Sequence, residues 1–310
     1  MNENLVKQIL RNPKKLLTKI NRYYPMLFQW MSDEQCIQFW YQYYLGKKAD
    51  LKNPKTFNEK LQWLKLNNRR SEYTRMADKY EAKRYVAEKI GEEYIIPALG
   101  IWDHFDEINF DQLPDQFVLK CTHDSGGLVI CRDKAKLDLA KAKKRIERSL
   151  NRNYYLCGRE WPYKDIRPRI LAEQYMADTT GSNELKDYKF FCFDGQVKCF
   201  TIDFDRFVEH HANYYDENGS ILPFGKRACP PKYDVQLDLP KELEKMKKLA
   251  SELSKGVPFL RVDFYEADGN VYFGEMTFFP ASGFGRFEPE AWDKRLGDWI
   301  HLPESACKDI

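Results

Sequence analysis

The sequence predicts an α+β fold. Helical and strand-like segments mix without regular βαβ units, and three segments read as β-hairpins around Asp-Gly or Asn-Gly turns. These are "DYKFFCFDGQVKCFTIDFDR", turning at Asp194-Gly195, "NYYDENGSIL", turning at Asn218-Gly219, and "RVDFYEADGNVYFGEMTFFP", residues 261–280. A hydrophobic content of 43% against 31% charged residues in a chain of 310 supports a globular core and about two domains.

Taken in order, residues 1 to about 75 read as helical. "NLVKQILRNPKKLLTKINRYY" spaces its apolar residues helically and breaks at Pro13. Its basic residues Lys7, Arg11, Lys14, Lys15, Lys19 and Arg22 stand against Glu3 alone. That balance suits attraction to an anionic membrane surface; the plain alternative is a solvated helix face. After a break at Asn53-Pro54, Phe57, Leu61 and Leu64 share helical spacing, and "MADKYEAKRYVAEKIG" reads as one helix stopping at Gly91. "YIIPALGIW", "FVLKCT", "GGLVICR" and "RPRILAEQYM" read as strands, with "KAKLDLAKAKKRIERSLNRN" a charged helix before the last of them. "PKELEKMKKLASELSKG" is a helix ahead of the final hairpin.

Composition excludes several classes. A net charge of +3 gives no case for nucleic acid. No run reaches the roughly 18 apolar residues of a membrane span. The N-terminus lacks a signal peptide's apolar core, and eight cysteines without a C-x-x-C argue against disulfides and zinc. A cytoplasmic protein is expected.

The final hairpin carries the sharpest chemical question. A three-residue loop Asp268-Gly269-Asn270 places Asp263 directly opposite Glu275, with Arg261 on the same face; a two-residue loop puts the carboxylates on opposite faces. Facing carboxylates need a cation, a proton or an arginine between them, so the pair is either a divalent-metal site or an Arg-bridged structural pair. "FVLKCTHDSGGLVICR" ends a strand in Lys120 and follows it with Ser125-Gly126-Gly127, a phosphate-cradling loop or a plain hairpin turn. Glu173, Tyr175 and Met176 end a strand whose exposed backbone edge suits an adenine. Lys189, inside an apolar strand, either seeks an anion or snorkels. Asp203-x-Asp205 matches the D-x-D with which glycosyltransferases hold a metal on a nucleotide-sugar, and His210 and His211 follow as acceptor-binding candidates. A G-x-S-x-G elbow, H-E-x-x-H and G-x-G-x-x-G are absent from the sequence.

In combination these pieces resemble a known layout. "ADKYEAKRYV", Lys120, the glycine-rich loop, "AEQYM" and the R-x-D…E-x-T hairpin resemble the ATP-grasp superfamily. "TFNEKLQWLKL", "FVLKCTHDSGG", "DYKFFCFDG" and "FGEMTFFPASGFGRFEP" are similar to the TupA-like ATP-grasp family, over about residues 50 to 303. The resemblance implies two α/β lobes gripping ATP behind an N-terminal helical extension: residues 1–75 as the extension, 76–176 as the small lobe with its phosphate loop, 177–310 as the lobe with the metal hairpin. It implies ATP and Mg²⁺ as cofactors, with Asp263, Glu275 and Thr277 as metal ligands, Thr277 standing where most such proteins have Asn. Arg261 and Lys189 would be catalytic. Lys120, Lys189, Ser125, Gly126 and Gly127 would hold phosphates, and Glu173, Tyr175 and Met176 the adenine. "FFPASGF" resembles a loop that shapes acceptor pockets. The implied reaction is carboxylate–amine ligation through an acylphosphate in cell-surface polysaccharide, capsule or teichuronopeptide synthesis. The expected partners are a polysaccharide precursor or nucleotide- or lipid-linked sugar, an amine or carboxylate co-substrate, and a peripheral membrane contact. A sugar phosphotransferase or a capsule glycosyltransferase are the alternatives.

Overall fold

The computed structural model describes residues 13–177, 186–205 and 209–308. Lys7, Arg11 and Glu3 of the basic segment lie outside the described residues. Helix α1 (Pro13–Tyr23) starts at the residue where the sequence predicts a break, since proline's fixed φ and missing N–H suit a first helical turn. Helix α2 (Asp33–Leu45) is set by a Ser32/Gln35 capping box and ends at left-handed Gly46. Helix α3 (Phe57–Asn67) starts at a second capping box, Thr56/Glu59. The helix expected across "MADKYEAKRYVAEKIG" is two: α4 (Ser71–Ala77) and α5 (Glu81–Ile90). Asp78 divides them by accepting the N–H groups of Tyr80 and Glu81 at 2.8 and 3.1 Å, which caps a new helix rather than continuing the old one.

Strands β1 (Ala98–Trp102), β2 (Phe117–Cys121), β3 (Leu128–Cys131) and β4 (Ile170–Gln174) form a four-stranded sheet in the order β1-β4-β2-β3, antiparallel throughout. Helix α6 (Leu139–Leu150) lays Ala142 and Ile146 onto it, over a core with Phe117, Leu119, Ile170 and Ala172.

The larger sheet has six strands: β5 (Asp187–Phe193), β6 (Gln196–Phe204), β7 (His211–Asp216), β8 (Ile221–Leu222), β9 (Leu260–Ala267) and β10 (Asn270–Thr277), in the order β10-β9-β5-β6-β7-β8 and again antiparallel. Helix α7 (Leu243–Ser254) packs on one face through Met246, Ala250 and Leu253. Helices α3 to α5 join this larger core through Phe57, Leu61, Tyr73, Met76 and Val86, and α8 (Ala291–Asp298) packs beside α3. Both sheets are antiparallel and, among the described residues, contain no parallel βαβ unit, which is the predicted α+β class. Among the described residues no helix is long and apolar enough to cross a membrane.

The β9–β10 hairpin reaches the expected pairing by another route. Ala267 pairs with Asn270, so the loop is the two residues Asp268-Gly269, both with positive φ (50° and 77°) as a type I′ turn requires. A two-residue loop alone would split the carboxylates between faces. A bulge at Gly274 restores the register, because Phe264 faces Phe273 while Asp263 faces Glu275. Glycine is needed there: a Cβ would stand 3.1 Å from the Asp263 carbonyl oxygen and 2.9 Å from the Tyr265 ring.

Candidate active site

The bulge aligns a polar row across the large sheet. Glu275, Asp263, Lys189 and Thr201 are successive cross-strand partners on β10, β9, β5 and β6. Arg261 pairs with Thr277 in the next row on that face. Arg261 donates from Nε and a terminal nitrogen to both Asp263 oxygens at 2.7 Å, a bidentate clamp. Burial pushes the Asp263 carboxyl up from its ordinary value, and Arg261 pulls against it. Lys189 donates to Asp187 and Asp203 at 2.8 and 2.7 Å, so it meets its anions within the sheet. The Asp203 carboxylate of the D-x-D also takes a 3.0 Å contact from His210 Nε2. His211 is buried at the head of β7, stacked on Phe204.

Glu275 is half-buried and lines two adjoining clefts, and its side chain has no hydrogen bond or ion pair to another described residue. The first cleft lies between the two sheets. The small sheet supplies Lys120, the Ser125–Gly127 loop and Glu173; α5 and the turn before it supply Lys83 and Lys79; the large sheet supplies Tyr265, Gly274 and Glu275. Glu173, 5% exposed, holds Lys83 on one oxygen at 2.8 Å and Lys120 on the other. Burial works to raise this carboxyl, but the two ammonium groups outweigh it and hold it at about 2. Burial also lowers Lys83 despite its carboxylate partner.

The glycine-rich loop is shaped by its own aspartate. One Asp124 oxygen accepts the N–H groups of Gly126 and Gly127 at 3.1 and 3.0 Å, and the other takes Ser149 and Arg152. In this conformation the glycine amides are therefore engaged, and Ser125 is the loop residue that lines both clefts. Gly127 has no room for a side chain, since a Cβ would lie 2.4 Å from the Cys121 sulfur. Among the residues expected at an adenine, Glu173 lines this cleft. Tyr175 lies on a separate one with Leu99 and Gln116, and half-buried Met176 follows it.

The second cleft, of about 860 Å³, begins at Glu275 and includes Arg261, Thr277, Tyr154, Glu160 and Tyr163. Exposed Arg22, Arg227 and Arg286 also line it. Its base is built from afar. Lys65 on α3, fully buried, donates to the carbonyls of Gly158 and Ser282 at 2.7 and 2.8 Å and lies 4.7 Å from the Phe284 ring centroid. Gln62, one turn earlier, donates to Ser282 and Gly283 at 3.0 and 2.7 Å. Together they hold Ala281 and Ser282 in left-handed conformations (φ 53° and 52°) inside the "FFPASGF" loop. Burial pushes Lys65 down to about 8 and raises the buried Glu160, each resisted by the other's charge. Sequence reasoning passed over Gln62, Lys65 and Glu160. A signal existed on α3: polar Asn58, Gln62 and Lys65 run beside apolar Phe57, Leu61 and Leu64 at the same spacing.

Asp263, Glu275 and Thr277 would offer oxygen ligands to a hard divalent cation. Thr277 Oγ1 is buried without a hydrogen-bond partner, Glu275 is open, and Asp263 keeps lone pairs beyond the two that Arg261 uses. Among the described residues no three His, Cys, Asp or Glu side chains converge on one point. The cation would therefore share its shell with substrate phosphates, as Mg²⁺ ordinarily does.

Comparison with known proteins finds solved structures of partial similarity. The D-alanine–D-alanine ligase from Bacillus anthracis complexed with ATP is similar over 73% of this chain and 63% of its own, at 18% identity and a TM-score of 0.42. The ATP-grasp ligase PsnB, in complex with precursor peptide PsnA2 and AMPPNP, is similar over 74% of this chain and 59% of its own, at 12% identity and a TM-score of 0.40. The biotin carboxylase domain of Hydrogenobacter thermophilus 2-oxoglutarate carboxylase, with MgADP and bicarbonate, gives 74% and 47%, 19% identity and a TM-score of 0.37. The chain thus spans less than two thirds of each of these proteins. No curated protein matches it. The signature described as TupA-like ATPgrasp matches residues 59–301. The chain belongs to the TupA-like ATP-grasp family.

Proposed function

We propose that the protein is an ATP-dependent carboxylate–amine ligase acting on an acidic sugar of a cell-surface polysaccharide precursor. The observation that carries this reading is Glu275. It is an open carboxylate at the point where a lysine-lined cleft meets a wider one lined by arginines and tyrosines. ATP would lie in the first cleft with its γ-phosphate toward Glu275. Lys79, Lys120 and the Ser125–Gly127 loop would take its phosphates, and Glu173 would fix the angle of Lys120. The acceptor would lie in the second cleft, where arginines match a carboxylate and tyrosines match a sugar face.

In the first half-reaction a substrate carboxylate oxygen bonds to the γ-phosphorus and the bond to the β,γ-bridging oxygen breaks, giving an acylphosphate and ADP. In the second, an amine attacks the acyl carbon, inorganic phosphate leaves, and the amine's surplus proton passes to a base. Glu160, buried beside the cleft and raised by that burial, is the carboxylate placed to receive it. Arg261 would stabilise negative charge developing at the acyl centre. Bound Mg²⁺ would offset the β- and γ-phosphate charge, held by Glu275, Asp263 and Thr277. The remaining work is positioning and exclusion of water from an acylphosphate that water would destroy.

Calorimetric titration with Mg²⁺-ATP and, separately, with UDP-sugars tests the reading. Binding of ATP that requires Mg²⁺, followed by amine-dependent ADP release with an acidic sugar, is expected. UDP-sugar binding without ATP binding would instead favour a glycosyltransferase. ADP release with a sugar and no amine requirement would make the protein a phosphotransferase.

A further inference from the structure

An exposed apolar surface adjoins the second cleft. Helix α1 lines that cleft with Thr18, Asn21 and Arg22 and then runs into a short turn at Pro25–Phe28. In and around it the side chains face outward: Tyr24 is 66% exposed, Met26 61%, Leu27 62% and Trp30 77%. Tyr23 and Phe39 extend the patch, Phe39 through its ring contact with Phe28. Scattered exposed apolar residues are ordinary, but a contiguous group of this kind marks an interaction surface.

The turn is fixed in place. Buried Arg159 donates to the carbonyls of Phe28 and Met31 at 2.7 and 3.2 Å, and Asn21 donates to the Cys157 carbonyl at 2.7 Å. The body of the protein thus holds Met26, Leu27 and Trp30 outward with buried hydrogen bonds. The composition is that of a lipid interface, with two tyrosines and a tryptophan around an apolar tip. Cationic Lys19 and Arg22 flank it on α1, Arg22 with its guanidinium 5.8 Å from the Tyr23 ring centroid. Basic charge beside interfacial aromatics complements anionic headgroups.

We infer that Tyr23 to Trp30, with Phe39, form a docking surface for an anionic lipid bilayer, which sets the mouth of the second cleft beside the membrane plane. A lipid-linked acceptor would then reach Glu275 without leaving the bilayer. Because Leu27 and Trp30 touch neither cleft, the inference stands or falls separately from the ligase reading.

The test is co-sedimentation of the full chain with vesicles of phosphatidylcholine alone and of phosphatidylcholine with phosphatidylglycerol. Binding is expected to the anionic vesicles and to fall with added salt. The Leu27→Asp/Trp30→Asp double variant should bind them at least about tenfold more weakly, and Lys19→Ala about fivefold more weakly. Both should keep wild-type unfolding curves and Mg²⁺-ATP titrations, since the substituted side chains are exposed. Equal binding to both vesicle types, no binding to either, or undiminished binding by the double variant would overturn the inference. So would a wild-type dimer in size-exclusion chromatography that the double variant abolishes, because the patch would then belong to a second copy of the chain.

Discussion

Glu173→Gln isolates the central electrostatic element of the lysine-lined cleft. Glu173 is held between Lys83 and Lys120, and its carboxyl sits at about 2 rather than its ordinary 4.5. That gap corresponds to roughly 3 kcal/mol of stability at neutral pH. Removing one partner of a buried ion pair costs about 3–5 kcal/mol by a separate route. The two routes agree at about 3 kcal/mol. Because the folded carboxyl is depressed, its contribution is complete above pH about 4.5 and disappears as pH falls toward 2. Urea unfolding of both proteins should therefore differ by about 3 kcal/mol at pH 7, with the difference shrinking steadily below pH 4.5. A difference under about 1 kcal/mol at pH 7, or one that does not change with acidification, would refute the idea that Glu173 pairs both lysines as charged groups.

Glu275→Gln should leave the unfolding free energy within about 0.5 kcal/mol of wild type, because the side chain is partly exposed and unpaired, while weakening Mg²⁺-dependent ATP binding at least about tenfold by calorimetry. Gly127→Ala should destabilise by about 1–3 kcal/mol in chemical denaturation, since its new methyl meets the Cys121 sulfur at 2.4 Å and Ser149 Cβ at 2.7 Å in a packed interior. Lys65→Leu should cost about 3 kcal/mol, by stranding the Gly158 carbonyl and removing the cation that faces buried Glu160. In limited proteolysis its first new cleavage should fall within residues 279–284.

The local elements were largely legible. The turns at Asp194-Gly195 and Asn218-Gly219 lie where expected, because Asp194, Gly195 and Gly219 adopt the positive-φ backbone a tight turn needs. The pairing of Asp263 with Glu275 was legible only by coincidence. The sequence suggested a three-residue loop, whereas a two-residue turn and a bulge at Gly274 produce the same register. An isolated glycine in a strand is the ordinary mark of a bulge, and it was the unread clue. Asp78 split an expected helix because its side chain competes with the helix for its own backbone. The base of the second cleft was hidden for a different reason. Lys65, Glu160 and Ser282 come from three distant segments, and nothing periodic within any one of them reports that they meet.

That meeting bears on how members of this family diverge. The backbone of Ala281 and Ser282 is held by a helix more than two hundred positions earlier in the chain. Exchanging the 279–284 segment between relatives would carry over its side chains but not its contour, unless the partners at 62 and 65 moved with it. Natural variation at these sites should therefore be inherited in blocks, and a change of acceptor preference should leave paired traces, one in the third helix and one in the loop.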